Sequence, residues 1–310
     1  MLFRSFERAL KLGPNLISNL SLASEFYNTI NEPHQALRCT ARMLELMPSY
    51  QDDILASYIS GQYDLSDTLN NGLPNNPGVA RAYFRVLLQN DDRESIRQAW
   101  DWLAARALSD DPLTHEYLDY LMRYRDYNQA LSTWVTHLGE HDDAYLKSSF
   151  LYNGGFESEP CGSIFDWRVR RMEGVETARD SEVAHSGKWS MRIAFSGERN
   201  VSYSNLSQDV VLKPGAYRFQ AYMRTVDITT DKGVAFRIAG LNAESSLNVK
   251  TEQLVRTHDW TELTAEIRVT ADTGGIRVAL MRESSEKFDD KIRGTVWIDD
   301  AKLFRMANNE

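Results

Sequence analysis

The chain has 310 residues, which is the length of two ordinary domains. Its 42% hydrophobic and 25% charged residues fit a globular protein, and a formal net charge of -9 excludes a non-specific nucleic-acid binder, which needs a basic surface to displace counterions from phosphates. Two cysteines, Cys39 and Cys161, with no pair at metal spacing, support neither a disulfide framework nor a structural zinc.

No apolar run reaches the roughly 18 residues of a membrane span. The first residues carry scattered charges and no apolar stretch, so they do not read as a signal peptide. Residues 2–12 place Phe3, Phe6, Ala9 and Leu10 on one helical face. They read as the second helix of a hairpin whose first helix is missing, or as a capping helix; the first reading makes the chain the downstream piece of a longer protein.

Leu12-Gly13-Pro14 and Leu46-Met47-Pro48 lie 34 residues apart. Between them, Leu20, Ala23 and Tyr27 mark one helix, and Ala36, Leu37, Met43 and Leu44 a second. Asn31-Glu32-Pro33 breaks the pattern, with Pro33 suited to a helix start. Ala99 and Ala130 sit in two later second helices, 31 residues apart. Residues 70–78, rich in Asn, Gly and Pro, are expected to form a loop that interrupts the stack. The period, with Leu20, Ala23, Tyr27, Ala36 and Pro48 in place, resembles the tetratricopeptide repeat, and the resemblance covers residues 1–145. It implies a surface for a protein partner. Trp100, Trp102 and Trp134 read as core. His34, His115, His137 and His141 show no metal spacing; His137 and His141 are four apart, but Gly139 separates them.

From about residue 150 the hydrophobic period falls from 3.6 to 2. Strands are expected at 188–195, 201–212, 216–225, 233–239, 261–270, 275–282 and 295–304, with turns at 213–215, 231–233 and 272–275. Seven short alternating strands read as an antiparallel β-sandwich or barrel, so the fold class is multi-domain α + β: a helical-hairpin array, then an all-β domain over 151–310, with the boundary between 143 and 153. Alternation turns Tyr217, Phe219, Ala221 and Met223 inward, and likewise Trp189, Met191, Ile193 and Phe195. Trp167 and Trp260 also read as core.

A series of motifs runs through this half. Asn153-Gly154-Gly155-Phe156-Glu157 opens it and Phe165-Asp166-Trp167 follows. His185-Ser186-Gly187-Lys188-Trp189, Leu206-Ser207-Gln208, Lys213-Pro214-Gly215 and Asp259-Trp260 come next. Trp297-Ile298-Asp299-Asp300 lies in the closing strand. In that order they resemble the carbohydrate-binding modules of the galactose-binding-like jelly-roll type, which are appended to xylanases, glucanases and cell-surface proteins. The resemblance implies a structural calcium ion held by Glu157, by Asp299 or Asp300, and by carbonyls of the loop at Lys188. The alternative is a solvated carboxylate pair without an ion.

No H-E-x-x-H, G-x-S-x-G, phosphate loop or clustered E-x-D-x-x-E is present, and His258-Asp259 reads as a strand-entry turn. The expected protein is a non-catalytic adaptor: a glycan-binding sandwich joined to a protein-recruiting array, suited to bacterial polysaccharide assembly or export. The alternatives are a purely structural scaffold and, behind it, a glycoside-processing enzyme. Glycan modules work outside the cytoplasm, so the cell envelope or periplasm is expected if an upstream signal or anchor precedes this chain, and the cytoplasm otherwise. The candidate ligand residues are the outward row Arg218, Gln220, Tyr222 and Arg224, with Tyr203 and Arg237; Arg277 has matching parity. If these strands share one sheet, guanidinium forks and an aromatic ring would select an anionic glycan over a neutral one. The competing reading pairs the arginines with Glu262, Glu266 and other carboxylates.

Overall fold

Helix α1 (Ile17–Thr29) buries Leu20, Ala23, Ser24 and Tyr27, a spacing that repeats every turn. Helix α2 (Pro33–Leu46) starts on Pro33, whose missing N–H costs nothing in a first turn, and buries Ala36, Leu37, Cys39, Met43 and Leu44 against it. Helices α3 (Gln51–Ser60), α4 (Pro77–Asn90), α5 (Arg93–Ala105), α6 (Asp111–Arg123) and α7 (Tyr127–Leu138) follow. The computed structural model describes residues 8, 10–61, 63–139 and 143–307. Phe3, Phe6 and Ala9 of the expected first helix, and His141, lie outside the described residues.

Three described hairpins turn on the same punctuation. The first helix ends on a left-handed residue, Asn31, Asp91 or Arg125, with φ of 61°, 59° and 62°. An acidic residue then precedes the second helix: Glu32, Asp92 or Asp126. Asp92 and Asp126 accept the N–H of Ser95 and Gln129, both at 3.4 Å, which satisfies donors that a helix start leaves open. Left-handed backbone is uncommon outside glycine, so its recurrence marks a repeated turn.

Residues 70–78 are the expected loop only at 73–76; both ends are helical. Thr68–Gly72 forms a π-helical turn with Leu69 and Gly72 buried. The Tyr58 hydroxyl donates to the Gly72 carbonyl at 2.8 Å, and a Cβ on Gly72 would stand 2.9 Å from Leu37. Asn76 and Pro77 are helix-start residues: the Asn76 side chain accepts the N–H of Gly78 at 2.9 Å and caps α4. Trp102 is likewise not core. Its indole N–H reaches Asn70 at 3.0 Å, and Arg106 stacks on its ring.

The second half forms two five-stranded antiparallel sheets. Sheet A runs β1 (Arg168–Val169), β4 (Tyr203–Val210), β9 (Ile276–Arg282), β6 (Ala235–Gly240) and β7 (Asn248–Lys250). Sheet B runs β2 (Val175–Asp180), β3 (Ser190–Ser196), β10 (Arg293–Arg305), β5 (Gly215–Ile228) and β8 (Arg256–Val269). Their inner faces share one core that includes Trp167, Met191, Ile193, Tyr217, Phe219, Phe236 and Ile298. Every expected strand is present; β1, β2 and β7 are additional. Trp189 precedes β3 instead of opening its inner row: it is half-buried, with Arg179 stacked 4.1 Å from its ring centroid. Trp260 is also half-buried, and His258 and Asp259 lie within β8 and not in a turn.

Compactness divides the chain between Tyr117 and Leu118, ahead of the change from helix to strand. The second unit therefore holds the end of α6 and all of α7. Trp134 of α7 sets its ring 5.4 Å from that of Tyr152 and 6.1 Å from Phe165, and Tyr127 donates to Asn242 at 2.6 Å.

The opening segment of the sandwich is clasped by its last strand. Phe150 N–H donates to Leu303 O at 2.7 Å, and Ala301 N–H to Gly154 O at 2.9 Å. The Gln208 amide of sheet A takes both backbone groups of Tyr152, at 3.0 and 2.9 Å. A Cβ on Gly154 would stand 1.8 Å from the Ala301 carbonyl oxygen. Gly154→Ala must therefore push two backbones apart. It should cost about 3 kcal/mol, the upper end for overpacking, read as a lowered midpoint in chemical denaturation. An unchanged midpoint would show that the clasp is not holding the fold.

Candidate functional site

The outer face of sheet A carries a groove of about 680 Å³. Strand register builds it from two cross-strand rows. The first reads Arg168, Ser207, Ala279, Arg237 and Lys250 from β1 to β7. The second reads Asp209, Arg277, Ala239 and Asn248. Ser207, Ala279 and Ala239 are small, so the middle is low, while long cationic side chains stand toward both ends. With strands about 4.8 Å apart, the five-strand row is about 19 Å long and the four-strand row about 14 Å.

Six cationic side chains line the groove, against the carboxylates of Asp209 and Glu283. Arg277 holds Asp209 with a two-pronged fork at 2.6 and 2.7 Å. Asp209 is only 3% exposed, so the fork shields it from the groove. Arg237 donates to Asn248 at 2.8 Å, Lys250 pairs with Glu283, and Arg168 pairs with Asp119. Arg170 is exposed and has no ion-pair partner among the described residues. Arg282 is 1% exposed and spends its guanidinium on Asn200, Val201 and Asp290, so it is structural. The result is a local excess of positive charge in an acidic chain.

The expected ligand residues divide between the two sheets. Arg237 lies in this groove, as does Arg277. Arg218, Gln220, Tyr222 and Arg224 all point outward from β5, but on sheet B. There one face of the Tyr222 ring is covered by His185, stacked 3.7 Å away at 14°. Arg224 lies 3.7 Å from Asp259, and the buried Nε of Arg218 has no hydrogen-bond partner. Tyr203 is a correction: it is 1% exposed, and its hydroxyl bonds that of half-buried Thr177 at 3.1 Å. Strict alternation turns it outward with Ser207, but a register shift between Tyr203 and Leu206 turns it in. Arg168, on a two-residue strand, Arg170, just past its end, and Asn248 and Lys250, on a three-residue strand, were missed because strands that short show no period.

The residues implied for calcium come together around one loop. Glu157 Oε1 accepts the N–H groups of Lys188 and Trp189 at 2.8 and 3.0 Å, and Asp299 Oδ2 those of His185 and Ser186 at 2.8 and 3.1 Å. Asp300 turns instead to His185 Nδ1 at 2.7 Å. The Glu157 carbonyl accepts from Arg179 at 2.8 Å. Lys188 thus meets Glu157 through its N–H, not its carbonyl, and a guanidinium faces the Glu157 backbone oxygen. Calcium needs six to eight oxygens. Among the described residues no group of three or more His, Cys, Asp or Glu is placed to hold a metal. Glu157 and Asp299 supply oxygens of the kind such an ion takes, and the N–H groups of residues 185–189 are the alternative partners.

The sequence of residues 148–285 matches a family described as carbohydrate binding domain. No curated protein matches the chain. A family 61 carbohydrate-binding module solved with β-1,4-galactotriose is 25% identical, over 51% of this chain and 99% of that one, with a TM-score of 0.35. A xylan-binding domain from Paenibacillus barcinonensis is 16% identical, over 46% and 87%, with a TM-score of 0.32. A C-terminal family 22 module of Clostridium thermocellum is also 16% identical, over 52% and 96%, with a TM-score of 0.36.

The fork between Arg277 and Asp209 sets the groove floor, and its strength is measurable. Asp209→Ala and Arg277→Ala, singly and together, should give a coupling of about 1 kcal/mol by denaturation, modest because Arg277 is half exposed to solvent. Strictly additive losses would show that the pair contributes nothing.

Proposed function

We propose that the second half of the chain binds an acidic polysaccharide in the groove on sheet A. One observation carries the reading: cationic side chains from β1, β9, β6 and β7 project from a single face, across a floor of small residues. An extended chain laid across the strands would meet a cation at either end. Guanidinium forks match carboxylates in pairs of hydrogen bonds, so uronic-acid polymers suit this face better than neutral cellulose or xylan. A neutral sugar is held largely by stacking on aromatic rings, and the one ring lining this groove, Tyr203, is buried. The similarity of residues 148–285 to carbohydrate-binding domains supports the class of ligand.

The helical part is then a tetratricopeptide-like array that recruits a protein, the repeated turns at Asn31, Asp91 and Arg125 being its structural support. Joined, the two make a non-catalytic adaptor, with polysaccharide assembly or export at the bacterial cell envelope as the setting. A structural calcium ion belongs to the same proposal, with Glu157 and Asp299 as its carboxylates.

The full chain should bind polygalacturonate more tightly than xylan, with affinity falling as salt rises, because each ion pair formed releases counterions and is screened. Arg237→Ala should weaken binding about fivefold and flatten the salt dependence. Equal affinity for both polymers without salt dependence, or no binding to either, would overturn the reading in favour of a neutral-glycan site or a plain scaffold.

For calcium, melting is the measurement. An ion bound only to the folded state at a hundredfold excess over Kd adds about 2.7 kcal/mol, so chelator should lower the melting temperature and Glu157→Gln should remove most of the difference. Identical melting of metal-free and calcium-loaded protein would leave the N–H bonds to Glu157 and Asp299 as the whole of that tie.

A further inference from the structure

The groove does not stop at the edge strand. Beside Arg168 and Arg277 lies a second hollow of about 460 Å³, and its far wall is the α6–α7 hairpin: Asp119, Met122 and Arg123 at the end of α6, Arg125 in the turn and Tyr127 at the start of α7. The two hollows share Ile164, Arg168, Asp209, Leu241 and Arg277, so they adjoin along that line of residues.

This helical turn is fixed to the sandwich. The Tyr127 hydroxyl donates to Asn242 at 2.6 Å, and its ring lies over Gly274, where a Cβ would stand 2.4 Å from the ring. Gly274 has φ of +69°, so the position favours glycine on both counts. Arg125 pairs with Glu244 at 3.4 Å, and Asp119 with Arg168. Every charged group on this wall is thus tied down except Arg123. It is exposed and has no ion-pair partner among the described residues. It also ends α6, where a cation suits the negative end of the helix dipole.

We propose that the α6–α7 turn supplies a terminal subsite for one further anionic sugar, with Arg123 as its cation. Arg125 and Tyr127 are positioning residues. The proposal rests on the groove reading above and extends it: helical residues, and not the sandwich alone, set how long a chain is bound. An oligomer that spans sheet A reaches Arg123 only when it extends past Arg168, so shorter chains gain nothing from it.

The test uses the full chain and a ladder of oligogalacturonates from dimer to hexamer, with affinities from calorimetry. Wild type should gain affinity up to the longest chains. Arg123→Ala should weaken the hexamer about fivefold, leave the dimer unchanged and lower the melting temperature only slightly, by the small loss of a cation at the helix end. Arg237→Ala should weaken the long and the short chains. If Arg123→Ala changes nothing while Arg237→Ala weakens binding, the terminal subsite is wrong and the groove stands. If Arg123→Ala weakens dimer and hexamer equally, Arg123 belongs to the shared site, which also overturns the proposal. If wild type binds no member of the ladder, the groove reading falls and the subsite with it.

Discussion

The sandwich depends on one backbone constraint, the clasp between its opening segment and its last strand. Phe150 and Gly154 bond to Leu303 and Ala301 of sheet B, while the amide of Gln208 reaches Tyr152 from sheet A. One stretch of irregular chain is therefore tied into both sheets, and its buried backbone groups find partners in each, as buried polar groups must. Three non-glycine residues here adopt left-handed backbone, Asn153, Phe156 and Asp300. Such conformations persist only where the surroundings over-determine them. Phe156 and Trp167, both fully buried with ring centroids 5.2 Å apart, provide that pressure from within.

With the edges held, each sheet can present an outer face of distinct character. Sheet B carries aromatic rings that are already partnered: His185 on Tyr222, Arg179 on Trp189, and Trp297 bonded to Asp180 at 2.8 Å. Sheet A carries cations over small residues. A net charge of -9 describes neither face. Averages over a chain decide solubility and long-range steering, whereas recognition is decided by which side chains the register sets side by side.

The fold was legible because periods of 3.6 and 2 are read directly from spacing. The site was legible only in part. Parity assigned Arg218, Tyr222, Arg224 and Arg237 to outward positions, and each points outward. Parity cannot tell which strands are neighbours, and that decides which outward residues meet. Tyr203 shows a second limit, since one irregularity in β4 reverses the face of everything before it. The turn at Thr68–Gly72 shows a third. Asn, Gly and Pro signal a break in regular structure, but the same residues start helices and allow close packing, as Asn76, Pro77 and Gly72 do here.

The strand order of sheet B has a consequence for how the protein is made. β10 is the last strand in the chain, yet it lies in the middle of the sheet, between β3 and β5. A growing polypeptide that has exposed everything up to β9 still lacks the strand that joins the two halves of sheet B and closes the clasp. The hairpins, whose partners are close in sequence, can order while synthesis continues, because short loops close quickly. The sandwich must wait until β10 has emerged. Until then the ribosome carries a folded helical part followed by two unpaired edges, β3 and β5, and that interval is when the nascent chain is most exposed to mispairing.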